Sequence, residues 1–132
     1  MIAFAIKVPI WPLHSWLPDA HAEAESPFSA ILSAVLVRKG LYGLFLLMYA
    51  VLGLSMLNGL AVCVLSFSNV LAWIGAFTIV FAAFTALMQN DSKRVLAWST
   101  VGQGGYMVLG VSVATSIGMA GGTFHILNHC IY

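Results

Sequence analysis

The chain has 132 residues, of which 61% are hydrophobic and 7% charged, with a formal net charge of +1 and a mean hydropathy of +1.00. An average soluble domain carries about 25% charged residues, so this composition cannot build a water-soluble surface. The five scattered Lys and Arg residues form no basic patch able to neutralise phosphates, which excludes nucleic acid as a partner.

At about 20 residues per crossing, the length gives room for four or five membrane spans and no separate soluble domain. The expected fold is all-α: a polytopic transmembrane helix bundle with a proline-broken helix at its N-terminal end. Its expected spans are 1–24, broken at 8–12, then 27–48, 64–88, 95–114 and 116–132.

The first segment opens on Met1 to Ile6, which lacks the basic stretch of a signal peptide and reads as a cut inside a helix. Pro9 and Pro12 follow Lys7. Proline has no N–H and clashes with the preceding turn, so the helix should break just after Lys7. Beyond the break, Leu13 to Ala24 carries His14, Asp19, His21 and Glu23 on an amphipathic stretch. Ser26 then reads as an N-cap and Pro27 as the first helical residue of the second span.

Arg38 and Lys39 lie within that span. Arg38 stands eleven residues after Pro27, about 16 Å along the helix and so near the middle of a hydrocarbon core roughly 30 Å thick. Adjacent helical positions point about 100° apart, so the two cations cannot share one partner. One should face a polar path and the other a neighbouring helix or subunit. The plain alternative is a structural ion pair with a carboxylate elsewhere.

Tyr49 to Cys63 reads as a weakly polar connection, and the third span as a packing helix without ionisable groups. Gln89 to Arg94 is the densest polar run, reading as the loop before the fourth span. Asp91, Lys93 and Arg94 are its charges. Counting crossings puts this loop on the same side as the turn before Pro27, and its two cations make that side cytoplasmic. The fifth span carries His125, Asn128 and His129 and reaches Tyr132 with no cap, as if cut. Cys63 and Cys130 lack metal or redox spacing and read as buried small hydrophobes.

A charge at a helix centre costs about 2.5 to 3.5 kcal/mol on insertion scales, so the ionisable residues inside the spans call for a reason. For Lys7 the choice lies between an interfacial anchor and a protonatable group at a helix break. The break favours the second reading, because burial and a movable carboxylate can load and unload an ammonium there. His125 and His129, at i and i+4, share one face. A packing pair is the plain alternative; zinc lacks a third ligand nearby, and two axial haem ligands would have to sit on opposite faces of the ring. A proton relay suits imidazoles best. No metal, cofactor or redox catalytic group is expected on this chain.

The stretch Phe4-Ala5-Ile6-Lys7-Val8-Pro9-Ile10-Trp11-Pro12-Leu13-His14-Ser15-Trp16-Leu17-Pro18-Asp19-Ala20-His21 closely resembles the signature of the antiporter-like subunits of NADH-quinone oxidoreductase. Multisubunit Mrp cation/proton antiporters and the membrane arms of energy-converting hydrogenases share that superfamily. Asp91 to Thr100 resembles a second family block, and Phe124 to His129 a third.

The resemblance implies a proton or sodium path along the membrane midplane. Lys7 matches the central pumping lysine, His125 and His129 the later helix of the relay, and Arg38 a position where many members place lysine. Arginine does not deprotonate in proteins, so the connecting role falls to Lys39 or becomes electrostatic. Glu25 stands where proline is usual.

The expected relay is therefore Lys7, Lys39, His125 and His129, with Arg38 as an electrostatic element. Pro9 and Pro12 form the helix break, and Asp19, His21, Asp91, Lys93 and Arg94 act as loop and structural motifs. The expected function is proton or sodium translocation in a redox-driven complex, such as a quinone oxidoreductase or membrane-bound hydrogenase. An Mrp-type antiporter without a redox partner, and a structural or quinone-lining subunit, are the alternatives. Other membrane subunits, a redox or hydrogenase module, the bilayer and further upstream and downstream parts of its own chain are the implied partners. The implied location is a prokaryotic cytoplasmic membrane.

Overall fold

In the computed structural model, which describes residues 2–53, 61–62, 65–113 and 115–131, α1 (Ile2–Lys7) ends at Lys7. The chain then turns through Pro9 and Pro12 before α2 (Trp16–Glu23). Backbone freed from a helix at membrane depth must find partners inside the protein. The Trp11 N–H donates to Thr78 Oγ1 at 3.1 Å, and the Trp16 indole N–H donates to the Ile6 carbonyl at 2.8 Å. Thr78 is fully buried and itself donates to the Ile74 carbonyl. The segment read as a pure packing helix therefore also supplies the hydroxyl that closes the break.

The next helix, α3, covers 26–52, with α-helical stretches at Ser26–Ile31 and Val37–Leu46 and π-helical ones at Leu32–Leu36 and Leu47–Leu52. Its N-cap is Glu25 rather than Ser26, with Pro27 in the first turn. Glu25 adopts φ −62°, the value a proline ring would impose, so the turn keeps its geometry without the proline.

Beyond Gly53, most of the connection expected at 49–63 lies outside the described residues, as does Cys63. A two-residue antiparallel ladder pairs β1 (Ala61–Val62) with β2 (Leu65–Ser66). Then come α4 (Phe67–Leu87), α5 (Ser92–Ser112) and α6 (Ser116–Ile131).

Helix α4 has its polarity reversed relative to a soluble helix. Trp73, Phe77, Val80, Phe84 and Leu87 are exposed along one stripe, while Gly75, Thr78 and Ala82 face inward. Small residues inside and large apolar ones outside suit a bundle whose solvent is lipid, where close backbone approach holds helices together. Two helices, Pro27–Ala50 and Phe67–Leu87, are long and apolar enough to cross a membrane.

Helix α5 is the hub, packing most extensively on α4 and also on α2, α3 and α6. A Cβ on Gly105 would lie 2.9 Å from Ile79 Cγ1 and 3.1 Å from the Gly75 carbonyl, so only glycine permits this α4–α5 crossing. The α5–α6 contact uses Gly110 against Gly122, while Gly121 faces open space. Cys130 is exposed on the rim of α6 rather than buried, its thiol 3.5 Å from the Ala34 carbonyl.

The polar run before α5 is shorter than the sequence suggests, because the helix begins at Ser92 and takes Lys93 and Arg94 into its first turn. Asp91 is the N-cap residue, where a negative charge suits the positive end of the helix dipole. Cations in that turn are disfavoured by the same dipole and need compensation. Lys93 Nζ donates to the Ala24 carbonyl at 3.1 Å, and Arg94 sits 3.8 Å from Asp19. The Arg94–Asp19 pair is exposed and contributes at most about 1 kcal/mol. These contacts bring the turn at 89–91 against the end of α2, on one side of the bundle.

Candidate functional site

Three helices converge on a polar row inside this apolar bundle. Arg38, on α3, is 6% exposed. Its guanidinium donates to His129 Nδ1 on α6 and approaches Met107 Sδ on α5 at 3.4 Å. One turn earlier on α6, His125 Nε2 lies 2.7 Å from Gln103 Oε1 of α5. The His125 ring packs edge-on against Tyr106, with centroids 6.2 Å apart, and against His129, with centroids 6.3 Å apart.

The bonding inventory constrains the proton on one imidazole of this row. Guanidinium has donors only, so His129 Nδ1 must be the acceptor and the neutral ring carries its proton on Nε2. The Gln103 amide offers both an acceptor and a donor, so it can pair with His125 Nε2 in either tautomer of that ring. Two imidazoles thus sit side by side, one against a permanent cation and one against a neutral amide.

Lys7 is the last residue of α1, and its side chain is exposed on this chain. A Cβ on Gly40 would lie 2.8 Å from Lys7 Cβ, so the root of Lys7 rests directly on α3. Gly40 follows Arg38 by two positions, about 3 Å along the helix axis. Gly40→Val is expected to force α1 off α3 at a cost of about 1 to 3 kcal/mol, as overpacking of a tight contact does. A thermal melt of the assembled full-length protein checks this, and an unchanged melting temperature contradicts it.

Lys39 faces away from the row and is exposed. Pro9 is buried and Pro12 exposed, while Asp19, Asp91, Lys93 and Arg94 are exposed at the turn end of the bundle. Asn128 is also exposed, away from the polar row. His21, expected among the loop and structural motif residues, is 3% exposed, with Nδ1 2.5 Å from Ser29 Oγ. Ser33 Oγ and Thr100 Oγ1 meet at 3.1 Å between α3 and α5. His14 lies among Phe81 and Trp98, with centroids 5.4 and 5.2 Å away.

Gln103, Thr78, Ser33 and Thr100 are the participants that sequence reading passed over. Gln103 carried a usable signal, being an amide in the middle of an apolar span. The hydroxyls carried none, since Ser and Thr inside helices commonly bond to their own backbone, as Thr100 does to the Leu96 carbonyl. Among the described residues, no three His, Cys, Asp or Glu groups come together to hold a metal ion.

Residues 1–132 match the family described as NADH:quinone oxidoreductase/Mrp antiporter, transmembrane region. Among curated proteins, an NAD(P)H-quinone oxidoreductase chain 4 of Synechococcus sp. (strain JA-3-3Ab) is 40% identical over 98% of this chain and 23% of its own length. One from Nostoc sp. (strain PCC 7120) is 39% identical over 98% of this chain and 22% of its own. The chain thus spans about a quarter of the length of the curated relatives it matches.

Among solved structures, the membrane-bound sulfane sulfur reductase, an archaeal respiratory membrane complex, superposes with a TM-score of 0.84 at 34% identity, covering 97% of this chain and 25% of that one. The Mrp complex from Dietzia sp. DQ12-45-1b also gives 0.84, at 24% identity, over 98% of this chain and 23% of that one. The second likeness is one of fold.

Proposed function

The chain belongs to the NADH:quinone oxidoreductase/Mrp antiporter transmembrane family, and from that premise we propose that it forms part of a proton-translocating membrane subunit of a redox-driven complex. The observation that carries this reading is the row Arg38–His129–His125–Gln103 between α3, α5 and α6, with Arg38 buried and the other three half-buried, beside a lysine at a helix break. Titratable groups inside a bilayer are costly and persist where they line an ion path.

In this reading Lys7 is the group that gains and loses the proton. The end of a broken helix gives it local dipoles and room for water. His125 and His129 pass protons between their ring nitrogens, and Arg38 supplies a fixed charge that orients His129. Lys39, on the other side of α3, connects the path to a further part of the chain or to a neighbouring subunit. Pro9 and Pro12 hold the break open, and Asp19, Asp91, Lys93 and Arg94 tie the turn end together.

Other membrane subunits and a redox module are the partners, and the membrane is a prokaryotic cytoplasmic one. The two cations Lys93 and Arg94 support a cytoplasmic turn end by the positive-inside rule. The redox assignment draws on the relatives, whose names describe quinone oxidoreductase chains and a respiratory complex.

The test is donor-driven ion uptake by the purified complex in sealed vesicles. Acidification that begins with the electron donor, survives without sodium and collapses with a protonophore is the expected result. Exchange of sodium for protons driven by an imposed gradient alone, with no response to any donor, would establish an Mrp-type antiporter instead.

A further inference from the structure

Helix α6 carries glycines on two faces, and only one of those faces has a close neighbour among the described residues. A Cβ on Gly118 would lie 2.7 Å from the Gly110 carbonyl oxygen, and one on Gly122 would lie 3.0 Å from Val111 Cγ2, so the approach of α5 accounts for both. A Cβ on Gly121 would meet nothing within 4 Å. Glycine weakens a helix interior, and nothing else in this chain gives Gly121 a reason to be one.

Gly121 belongs to a row that steps by four and three residues: Ile117, Gly121, Phe124, Asn128 and Ile131. That spacing puts all five on one face of α6, and all five are exposed.

Asn128 is the second anomaly of the face. Its neighbour His129 bonds to Arg38, and Arg38 lies eleven residues after Pro27 and twelve before Ala50 in the span Pro27–Ala50. The Arg38–His129 contact therefore sets residue 128 close to the middle of the membrane. Among the described residues Asn128 makes no hydrogen bond. An amide turned into hydrocarbon at that depth leaves its N–H donors and carbonyl lone pairs unmet, a cost that water cannot relieve there.

Helix α4 shows what a face suited to lipid looks like. Trp73, Phe77, Val80, Phe84 and Leu87 step by the same fours and threes, all exposed, with no glycine and no polar side chain among them. The α6 row departs from that pattern at two positions. Both departures are what paired membrane helices use: a small residue for close backbone approach and an amide for a hydrogen bond between helices.

We propose that the Gly121–Asn128 face of α6 is the docking site of a further transmembrane helix of the same subunit, which lays its backbone against Gly121 and presents an amide or hydroxyl side chain to Asn128. An uncharged partner fits because the row carries no charge to offset one. The matched region is 23% of a curated relative's length, so about three quarters of such a subunit lies outside it and has ample chain to supply the helix. This inference rests on the membrane setting and on the chain being part of a longer subunit, and it is independent of the proton relay.

The experiment uses the full-length protein in its assembled complex, in membranes. A photoreactive benzoylphenylalanine replaces Phe124, which stands between Gly121 and Asn128, and the irradiated products are digested and identified by mass spectrometry. The expected product joins position 124 to a peptide of the same subunit from outside these 132 residues. Adducts with lipid alone overturn the proposal, and so does a peptide from a different subunit or from a second copy.

Two substitutions test the chemistry of the face by the sign of their effect. Asn128→Leu is expected to lower the melting temperature of the purified complex by several degrees, because it strands the polar group opposite. Gly121→Leu should lower it as well, by pushing the docked backbone away. On a face open to lipid both changes would leave the melting temperature unchanged or raise it, since leucine replaces an unmet amide and a helix-weakening glycine; that result overturns the proposal. Should either variant fail to assemble, the crosslink still decides, because it is made with Gly121 and Asn128 intact. None of these readouts measures ion uptake, so the docking face and the relay can fail separately.

Discussion

Lys7→Ala in the full-length protein is expected to reduce ion translocation more than tenfold while the complex still assembles. The substitution keeps the β-carbon that rests on Gly40, so the α1–α3 contact survives. The break is held by Pro9, by the Trp11 N–H on Thr78 and by the Trp16 indole on the Ile6 carbonyl. None of these uses the Lys7 side chain. What disappears is the ammonium, and with it the group at the end of α1 that takes up and releases a proton in this reading. Donor-driven uptake in vesicles, with subunit incorporation read on a native gel, measures both halves of the expectation. Full translocation by an assembled Lys7→Ala complex would remove Lys7 from the mechanism.

Arg38→Leu should lower translocation about tenfold, with little loss of stability. Replacing a buried cation by an apolar residue of similar size is often neutral or stabilising, because the desolvation cost disappears with the charge. Against that, His129 Nδ1 loses its donor, at about 1 kcal/mol for one hydrogen bond, and with it the constraint that keeps the ring proton on Nε2. Arg38→Lys keeps a donor and a charge and is expected to retain most of the activity. Lys39→Met tests the other half of the pair. Lys39 is exposed, so the change should alter stability by no more than about 0.5 kcal/mol. If Lys39 carries the connecting step, translocation falls further than in Arg38→Lys. Wild-type pumping in Lys39→Met would leave that lysine as a contact to lipid or a neighbour.

Composition alone determined that this chain lives in a bilayer, because the hydrophobic effect acts on every residue irrespective of where the chain folds. Local chemistry determined the break, since Pro9 and Pro12 stop a helix wherever they stand. It also placed His125 and His129 on one face, because the helical period is fixed by backbone geometry.

Sequence spacing could separate Arg38 from Lys39 by direction but not decide which of them faces the polar row. That choice was made by the packing of α3 against α5 and α6, where Gly40 brings Lys7 close, Met107 and His129 receive the guanidinium, and Lys39 is left outside. His21 shows the same limit most sharply. In sequence it is one polar residue of an amphipathic stretch, with Asp19 two positions earlier. Only the approach of α2 to α3 and α5 buries it against Ser29. Burial depends on neighbours far away along the chain, and a local pattern carries no information about them.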